Sequence, residues 1–185
     1  MQAIDALLGR RSAKTLTDPA PDAGALELML ECGARAPDHG RLRPWRFIVI
    51  RGAARERLGE LMAEVLRRKQ PDAGAQALQR EREKPLRAPL IIAVAAACNA
   101  AVKVPPIEQI LAAGAAAQNM MLAATTLGFG AMWKTGDVAY DDTVKAALGL
   151  RASDAIVGFL YVGTAPPGAV PPPVRGQWED RVTWW

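Results

Sequence analysis

The apolar positions of this chain repeat with two periods, one typical of helices and one typical of strands. Helical spacing predicts helices over five stretches, residues 4–8, 26–33, 58–66, 108–127 and 141–148. Runs rich in β-branched and aromatic residues predict strands over residues 45–50, 90–95, 131–134 and 156–163. More helices than strands, in this order, indicate a three-layer domain that is either α+β or α/β.

Two of these stretches also indicate burial. Residues 90–95 are continuously apolar, so we expect a central strand that is covered on both faces. Residues 110–133 carry no formal charge and are long enough to cross a bilayer. Because they are mostly Ala and Gly, with polar Gln118 and Asn119 among them, we expect a buried central helix followed by a strand, and no membrane contact.

Two segments depart from the core pattern. Residues 76–87 are highly charged with little apolar stripe, which indicates an exposed, mobile helix or a lid. Residues 166–173 are too rich in proline for a helix, so we predict an extended C-terminal arm over residues 165–185. Trp184 and Trp185 would be unusual at a free, solvated end. We therefore expect the arm to lie across an apolar surface such as a second subunit.

Composition narrows the class of protein. The length suits a single domain over residues 1–185, and a hydrophobic content of 50% excludes a wholly disordered chain. The net charge of +4, without a run of five like charges, suits a small anion better than a nucleic acid. One histidine and two cysteines cannot build a four-ligand zinc site. The N-terminal residues lack the pattern of a signal peptide, so a cytoplasmic protein is expected.

The common catalytic motifs are absent from the sequence. There is no nucleophile elbow, P-loop, HExxH or CxxC, and the Gly128 to Gly130 stretch lacks the third glycine of a dinucleotide fingerprint. A Ser-His-Asp site would depend on His39, the only histidine, and nothing else supports one. What remains is a pattern suited to binding an anion.

The first cluster of that pattern lies after the first predicted helix. Arg10, Arg11 and Lys14 supply three cations within five residues, and Ser12 adds a hydroxyl. Guanidinium groups match phosphate oxygens, with which they form paired hydrogen bonds. The alternative is a solvated basic turn.

Two further clusters follow along the chain. Pro37 would hold Arg35 and His39 in fixed positions after the second helix, although both could simply compensate the charge at the helix C-terminus. The glycines of residues 128–136 would let the backbone approach a flat ligand, which Trp133 could cover. The alternative for this third cluster is a tight helix-to-strand connection around a core tryptophan.

Four motifs occur in register along the chain, Arg10-Arg11-Ser12, Ala36-Pro37-Asp38-His39, residues 128–136 and residues 157–164. Together they resemble the nitroreductase family of flavin enzymes, most closely its short, YdjA-like type. The likeness spans about residues 2–164. Each motif alone is weak, and their order and spacing make the resemblance specific.

The resemblance implies an α+β fold, with a central mixed sheet flanked by helices, and a homodimer with FMN at the subunit interface. It also implies that the cofactor performs the hydride chemistry, so no catalytic side chain and no metal are expected. Arg35 and His39 would reach the flavin from the partner chain. By motif position, FMN binding falls on Arg10, Arg11, Ser12, Lys14, Arg35, His39, Trp133, Lys134 and Thr135.

The implied activity is oxidation of NAD(P)H by a ping-pong reaction, in which hydride passes through flavin N5 to a nitroaromatic, a quinone or a similar acceptor. Alternatives on the same fold are dehalogenation, flavin fragmentation, and a flavin-storing or ligand-sensing module without turnover. A basic nucleic-acid binder is disfavoured, since no aromatic residues interleave with the basic ones. Larger family members place a basic pair near the C-terminus on the FMN phosphate. Here only Arg175 and Arg181 stand there, so the phosphate ligands remain open.

Overall fold

A single β-sheet of four strands forms the centre of the molecule. The computed structural model describes residues 2–172 and 176–185. The strands lie in the order β1-β2-β4-β3. Their bounds are β1 (Trp45–Arg51), β2 (Leu90–Ala96), β3 (Gly130–Lys134) and β4 (Ala155–Gly163). These bounds confirm the four predicted strands.

Every neighbouring pair of strands in this sheet is antiparallel. The expected mixed sheet is therefore wrong, although the expected α+β fold is confirmed. The one parallel element beside the described strands is an isolated bridge between Ser12 and Ala131. Strand direction depends on where each connection returns the chain, and a strand's own apolar pattern carries no information about it.

Six α-helices are formed in the described residues, α1 (Ala3–Gly9), α2 (Ala23–Gly33), α3 (Ala53–Lys69), α4 (Ala75–Glu83), α5 (Pro106–Thr126) and α6 (Asp142–Ala147). Local signals account for their starts. The side chain of Asp22 caps α2 by accepting from the Ala25 amide at 2.8 Å, and prolines open α5. No helix in the described part of the chain has both the length and the apolar character to span a membrane.

Strand β2 divides the core into two halves, because successive side chains of a strand point to opposite faces. Ile91, Ala93 and Ala95 pack into the cluster that contains α3 residues such as Leu58 and Met62. The alternate residues Leu90, Ile92 and Val94 pack against α2 and α5. All of β2 is buried, as its continuous apolar run predicts. Each large aliphatic side chain buried here contributes about 1.5–3 kcal/mol.

The charged segment forms part of the α3 layer. Arg82 Nε lies 2.9 and 3.0 Å from the two carboxylate oxygens of Glu60, and a β-carbon on Gly59 would come within 2.3 Å of the Arg82 carbonyl oxygen. This ion pair and the close backbone approach at Gly59 attach the segment to α3, although the segment has little apolar stripe of its own. The segment contains the exposed helix α4, which packs as a wall on α3, and its role as a lid stays a prediction.

The C-terminal region crosses the edge of the sheet and then leaves it. The Lys14 amide donates to the Ala169 carbonyl at 2.8 Å, and Ala169 is buried. Beyond the gap at residues 173–175, Trp178, Trp184 and Trp185 are exposed. The predicted extended arm is described in part, and the chain itself does not cover its terminal tryptophans.

Candidate functional site

The basic N-terminal segment is held at the free edge of β3. The Ala13 amide donates to the Ala131 carbonyl at 3.1 Å, and Ala13 is fully buried. A β-carbon on Gly130 would lie only 3.0 Å from the Ala13 β-carbon, so glycine is what permits this close approach. Residues two apart in an extended chain share a face. Burial of Ala13 therefore leaves Ser12 and Lys14 exposed on either side of it.

Two guanidinium atoms of this segment are buried without a partner. Arg10 Nη1 and Arg11 Nε are shielded from solvent and make no hydrogen bond within the described residues. An unsatisfied buried donor costs about 1–3 kcal/mol, and more when it is charged. Donors of this kind on two consecutive residues are groups that a bound anion could satisfy.

A cavity of about 460 Å³ opens beside the same segment, between α3, the 3₁₀ turn Lys84–Arg87 and strands β3 and β4. Its wall includes Lys14, Lys134 and Thr135, three of the residues that the sequence predicts for the site. Six of the other lining residues have apolar side chains, and these are Met62, Val65, Leu66, Met132, Val138 and Phe159. An apolar cavity with a few cations suits a flat organic anion.

The charges around the cavity do not cancel. Glu81 forms an ion pair with Lys84, and Asp137 Oδ1 lies 2.8 Å from Lys69 Nζ. Within the described residues, the other three cations of the lining have no carboxylate partner, and these are Lys14, Arg87 and Lys134. The cavity therefore carries positive charge that a bound anion would neutralise.

Tyr161 supplies a neutral hydroxyl to this cavity. The residue is 5% exposed, and burial raises the pKa of its phenol to about 12. The positive charge of Arg87 opposes the rise, and the negative charge of Glu81 adds to it. The phenol stays protonated at neutral pH, so it can donate a hydrogen bond.

The loop that carries Thr135 is shaped by Gly136 and tied to α3. Gly136 has φ 108° and ψ −173°, a conformation that side chains with a β-carbon rarely adopt. Arg68, at the end of α3, donates to Asp141 Oδ2 at 2.8 Å and to the Thr143 hydroxyl at 2.6 Å. With the Lys69–Asp137 pair, this anchors the loop at two points.

Asp141 serves two elements at once. Its second oxygen, Oδ1, accepts from the amides of Thr143 and Val144 at the start of α6. Burial alone would raise the pKa of Asp141, but hydrogen bonds from Val144 and Arg68 outweigh it and lower that pKa. The carboxylate is therefore held ionised between the cavity loop and α3.

Two predicted site residues lie away from the cavity of their own chain. Arg35 Nη2 pairs with Glu31 at 2.7 Å on the surface of α2. His39 Nδ1 lies 2.5 Å from Glu108 Oε2, at the start of α5. Neither residue lines the cavity, so any contact with a ligand there would have to be made on another subunit.

Trp133 points to the opposite face of the sheet from its neighbours Met132 and Lys134. Its indole Nε1 donates to the Val157 carbonyl at 3.3 Å, and the ring packs with the α5 side of the core. The period of two along β3 explains this, because the residues on either side of Trp133 face the cavity. Its place beside a ligand stays a prediction.

The α4 region and β4 contribute cavity residues that the sequence pattern does not predict. Glu81, Lys84 and Arg87 line the cavity, and so does Tyr161 of β4. A cluster of charges directly before the buried strand 90–95 was the available signal. This signal does not predict the cavity by itself, because only the order of strands in the sheet places the start of β2 near Lys14. Arg175 lies outside the described residues, and Arg181 Nε is 3.2 Å from the neighbouring Asp180.

Known proteins resemble this chain over most of its length. The family model described as "Nitroreductase family" matches residues 7–164. YdjA of Escherichia coli (strain K12), which is named as an NAD(P)H nitroreductase, is 44% identical over 166 residues, or 89% of this chain and 88% of that protein.

Solved structures agree over nearly the whole chain. A nitroreductase-like family protein from Bacillus cereus has a TM-score of 0.82 at 24% identity, covering 100% of this chain and 96% of its own. A Desulfovibrio desulfuricans nitroreductase, solved in complex with FMN, has a TM-score of 0.69 at 28% identity, covering 95% and 92%. The fold and the matched motifs together carry the assignment: this chain belongs to the nitroreductase family.

Proposed function

We propose that this protein is an FMN-dependent NAD(P)H oxidoreductase that reduces a nitroaromatic, a quinone or a similar acceptor. The observation that carries the proposal is the pair of buried, unpartnered guanidinium atoms on Arg10 and Arg11, in the segment that reaches the cavity at Lys14. A relative named as an NAD(P)H nitroreductase and a structural neighbour solved as a nitroreductase in complex with FMN support it.

The donor set suits the phosphate end of FMN. Arg10 and Arg11 each have a guanidinium donor to spare, and Ser12 adds an exposed hydroxyl. A phosphate that accepted these hydrogen bonds would remove the cost of leaving buried donors unsatisfied. We therefore assign the phosphate to Arg10 and Arg11, which leaves Arg181, paired with Asp180, outside the site.

The cavity suits the ring end. When bound, FMN supplies the hydride chemistry, so the protein has to bind and orient the ring and tune its charge. Lys14 and Lys134 place positive charge at the cavity wall without a carboxylate partner, and they would stabilise negative charge on a reduced ring. Met132 and Phe159 supply apolar contact, and Thr135 can donate or accept at the rim.

A homodimer completes this proposal, because one face of the chain is unusually apolar. Ile4, Leu7 and Leu8 on α1 and Ile107 and Leu111 on α5 are all more than half exposed. Large exposed apolar side chains on two helices that contact each other indicate an interaction surface. We propose that a second copy covers it, and that Arg35 and His39 then complete the partner's site.

Anaerobic visible spectroscopy tests the function. The purified, desalted protein is mixed with free FMN, and NADPH or NADH is then added. We expect a bound flavin spectrum that bleaches with one nicotinamide and recovers when a quinone or nitroaromatic is added. Bound flavin that neither nicotinamide bleaches would indicate a storage or sensing module. Bleaching without recovery with these acceptors would favour dehalogenation or flavin fragmentation, and failure to bind FMN would refute the proposal.

A cytoplasmic location belongs to the same proposal, since that compartment supplies NAD(P)H.

A further inference from the structure

The single histidine of the chain is built into a hydrogen-bonded pair with a carboxylate, and the cavity does not use this pair. His39 Nδ1 lies 2.5 Å from Glu108 Oε2, in a contact between the 3₁₀ turn His39–Arg41 and the first turn of α5. The side chains are 66% and 41% exposed. An exposed pair is usually worth little for stability, so its geometry calls for another explanation.

Both partners are held by rigid neighbours. Gln109, next to Glu108, is 1% exposed. Its side-chain oxygen accepts from the Asn99 amide at 2.9 Å, and its side-chain nitrogen donates to the Asn99 and Val104 carbonyls, each at 2.9 Å. The turn after His39 rests on the same loop, since a β-carbon on Gly40 would lie 3.2 Å from a Val104 methyl group. The two side chains therefore face each other across a packed contact.

The backbone around His39 is strained as well as packed. Arg41 and Arg43 have φ of 53° and 48°, values that residues with a β-carbon rarely adopt. The Asp38 carboxylate accepts from the Arg43 amide at 2.6 Å, so Asp38 stabilises this turn. Strain of this kind persists only where the surrounding structure maintains it, and it is concentrated at functional sites.

The pairing selects one form of the imidazole ring. A carboxylate accepts hydrogen bonds, so the nitrogen that faces Glu108 has to carry the proton. In the neutral ring the other nitrogen, Nε2, is then an acceptor. His39 and Glu108 lie beside Ile107 and Leu111, on the apolar face that we propose for the subunit interface. Nε2 is thus the polar atom that His39 can offer to a partner.

We propose that Glu108 is a positioning residue that fixes His39 in its Nδ1–H form and so presents Nε2 as a hydrogen-bond acceptor to the neighbouring subunit's FMN. This inference rests on the proposed function and on the dimer proposed with it. An acceptor nitrogen suits a hydroxyl donor, and the ribityl chain of FMN carries such hydroxyls. Glu108 itself acts only through His39.

Nitrogen-15 NMR of the ring tests the positioning directly, on the protein without cofactor. Because the chain has one histidine, its ring signals need no separate assignment. At alkaline pH, where the ring is neutral, we expect the Nδ1–H pattern in the wild type and a shift toward Nε2–H in Glu108→Gln. An Nε2–H ring in the wild type, or the same ring form in both proteins, would overturn the proposal.

FMN titration tests the consequence through a double-mutant cycle. Glu108→Gln should weaken FMN binding about three- to tenfold in the wild type and have no effect in a His39→Gln background. An equal loss in both backgrounds would mean that Glu108 supports the fold, and would overturn the positioning role. Glu64→Gln, which breaks an exposed ion pair with Arg67, is the matched control and should leave both readouts unchanged. A wild type that binds no FMN would count against the proposed function, while the ring NMR would still decide the role of Glu108.

Discussion

The indole of Trp133 lies directly over Gly158, where a β-carbon would come within 2.1 Å of the indole Nε1. The same nitrogen donates to the carbonyl of Val157, the residue before that glycine. Because Gly158 has no β-carbon, the indole of Trp133 on β3 can pack against β4 at this position. The pair links the third sequence motif to the fourth.

Gly158→Ala should therefore destabilise the protein. The added methyl group has to push the indole away and break its hydrogen bond, and overpacking of this kind costs about 1–3 kcal/mol. Urea unfolding followed by circular dichroism measures the loss. Gly9→Ala is the control, because nothing lies within 4 Å of a β-carbon there. Equal stabilities for the two variants would contradict the packing described for Trp133.

Arg10→Ala should weaken FMN binding about tenfold to a hundredfold, since hydrogen bonds to charged groups are worth about 1.5–3 kcal/mol. Fluorescence titration of FMN measures the change. Arg57→Ala removes a cation that has no ion-pair partner in the described residues and that lies outside this cavity. It should bind FMN as the wild type does. Unchanged affinity in Arg10→Ala would remove that residue from the phosphate site.

The raised pKa of Tyr161 should lower the free energy of unfolding as the pH rises from about 10 to about 12. The unfolded chain loses the phenol proton near the ordinary pKa, whereas the buried phenol keeps it up to about 12, so base favours the unfolded state across this interval. Below that interval both states are neutral and the phenol adds no pH dependence. Urea unfolding at several pH values measures the slope, and Tyr161→Phe should make it shallower. The same slope in both proteins would contradict a buried, neutral phenol.

Leu111→Glu should convert the proposed dimer to monomers. The residue is 63% exposed on the apolar face of α1 and α5, and a buried carboxylate without a partner would oppose association. Light scattering measures the mass. Leu86→Glu, 46% exposed in the α3 layer on the other side of the sheet, is the control and should remain dimeric. Monomeric wild-type protein with FMN fully bound would refute the shared site.

The sequence by itself determined the local elements and the family of this protein. The apolar run 90–95 became a strand buried on both faces, and the Ala-rich stretch became α5. Periodicity predicts such elements because it depends on residues that are neighbours in the chain. The motif order identified the nitroreductase family for the same reason, since motifs are read along the chain.

Only the tertiary structure decided how those elements combine. The sheet is antiparallel, α4 is a wall on α3, and Lys84 and Arg87 share a cavity with Lys14. It also placed Glu108 against His39. These relations join residues that are from about twenty to about seventy positions apart, and they depend on where loops and crossing helices return the chain. No local pattern of hydrophobic and polar residues carries that information.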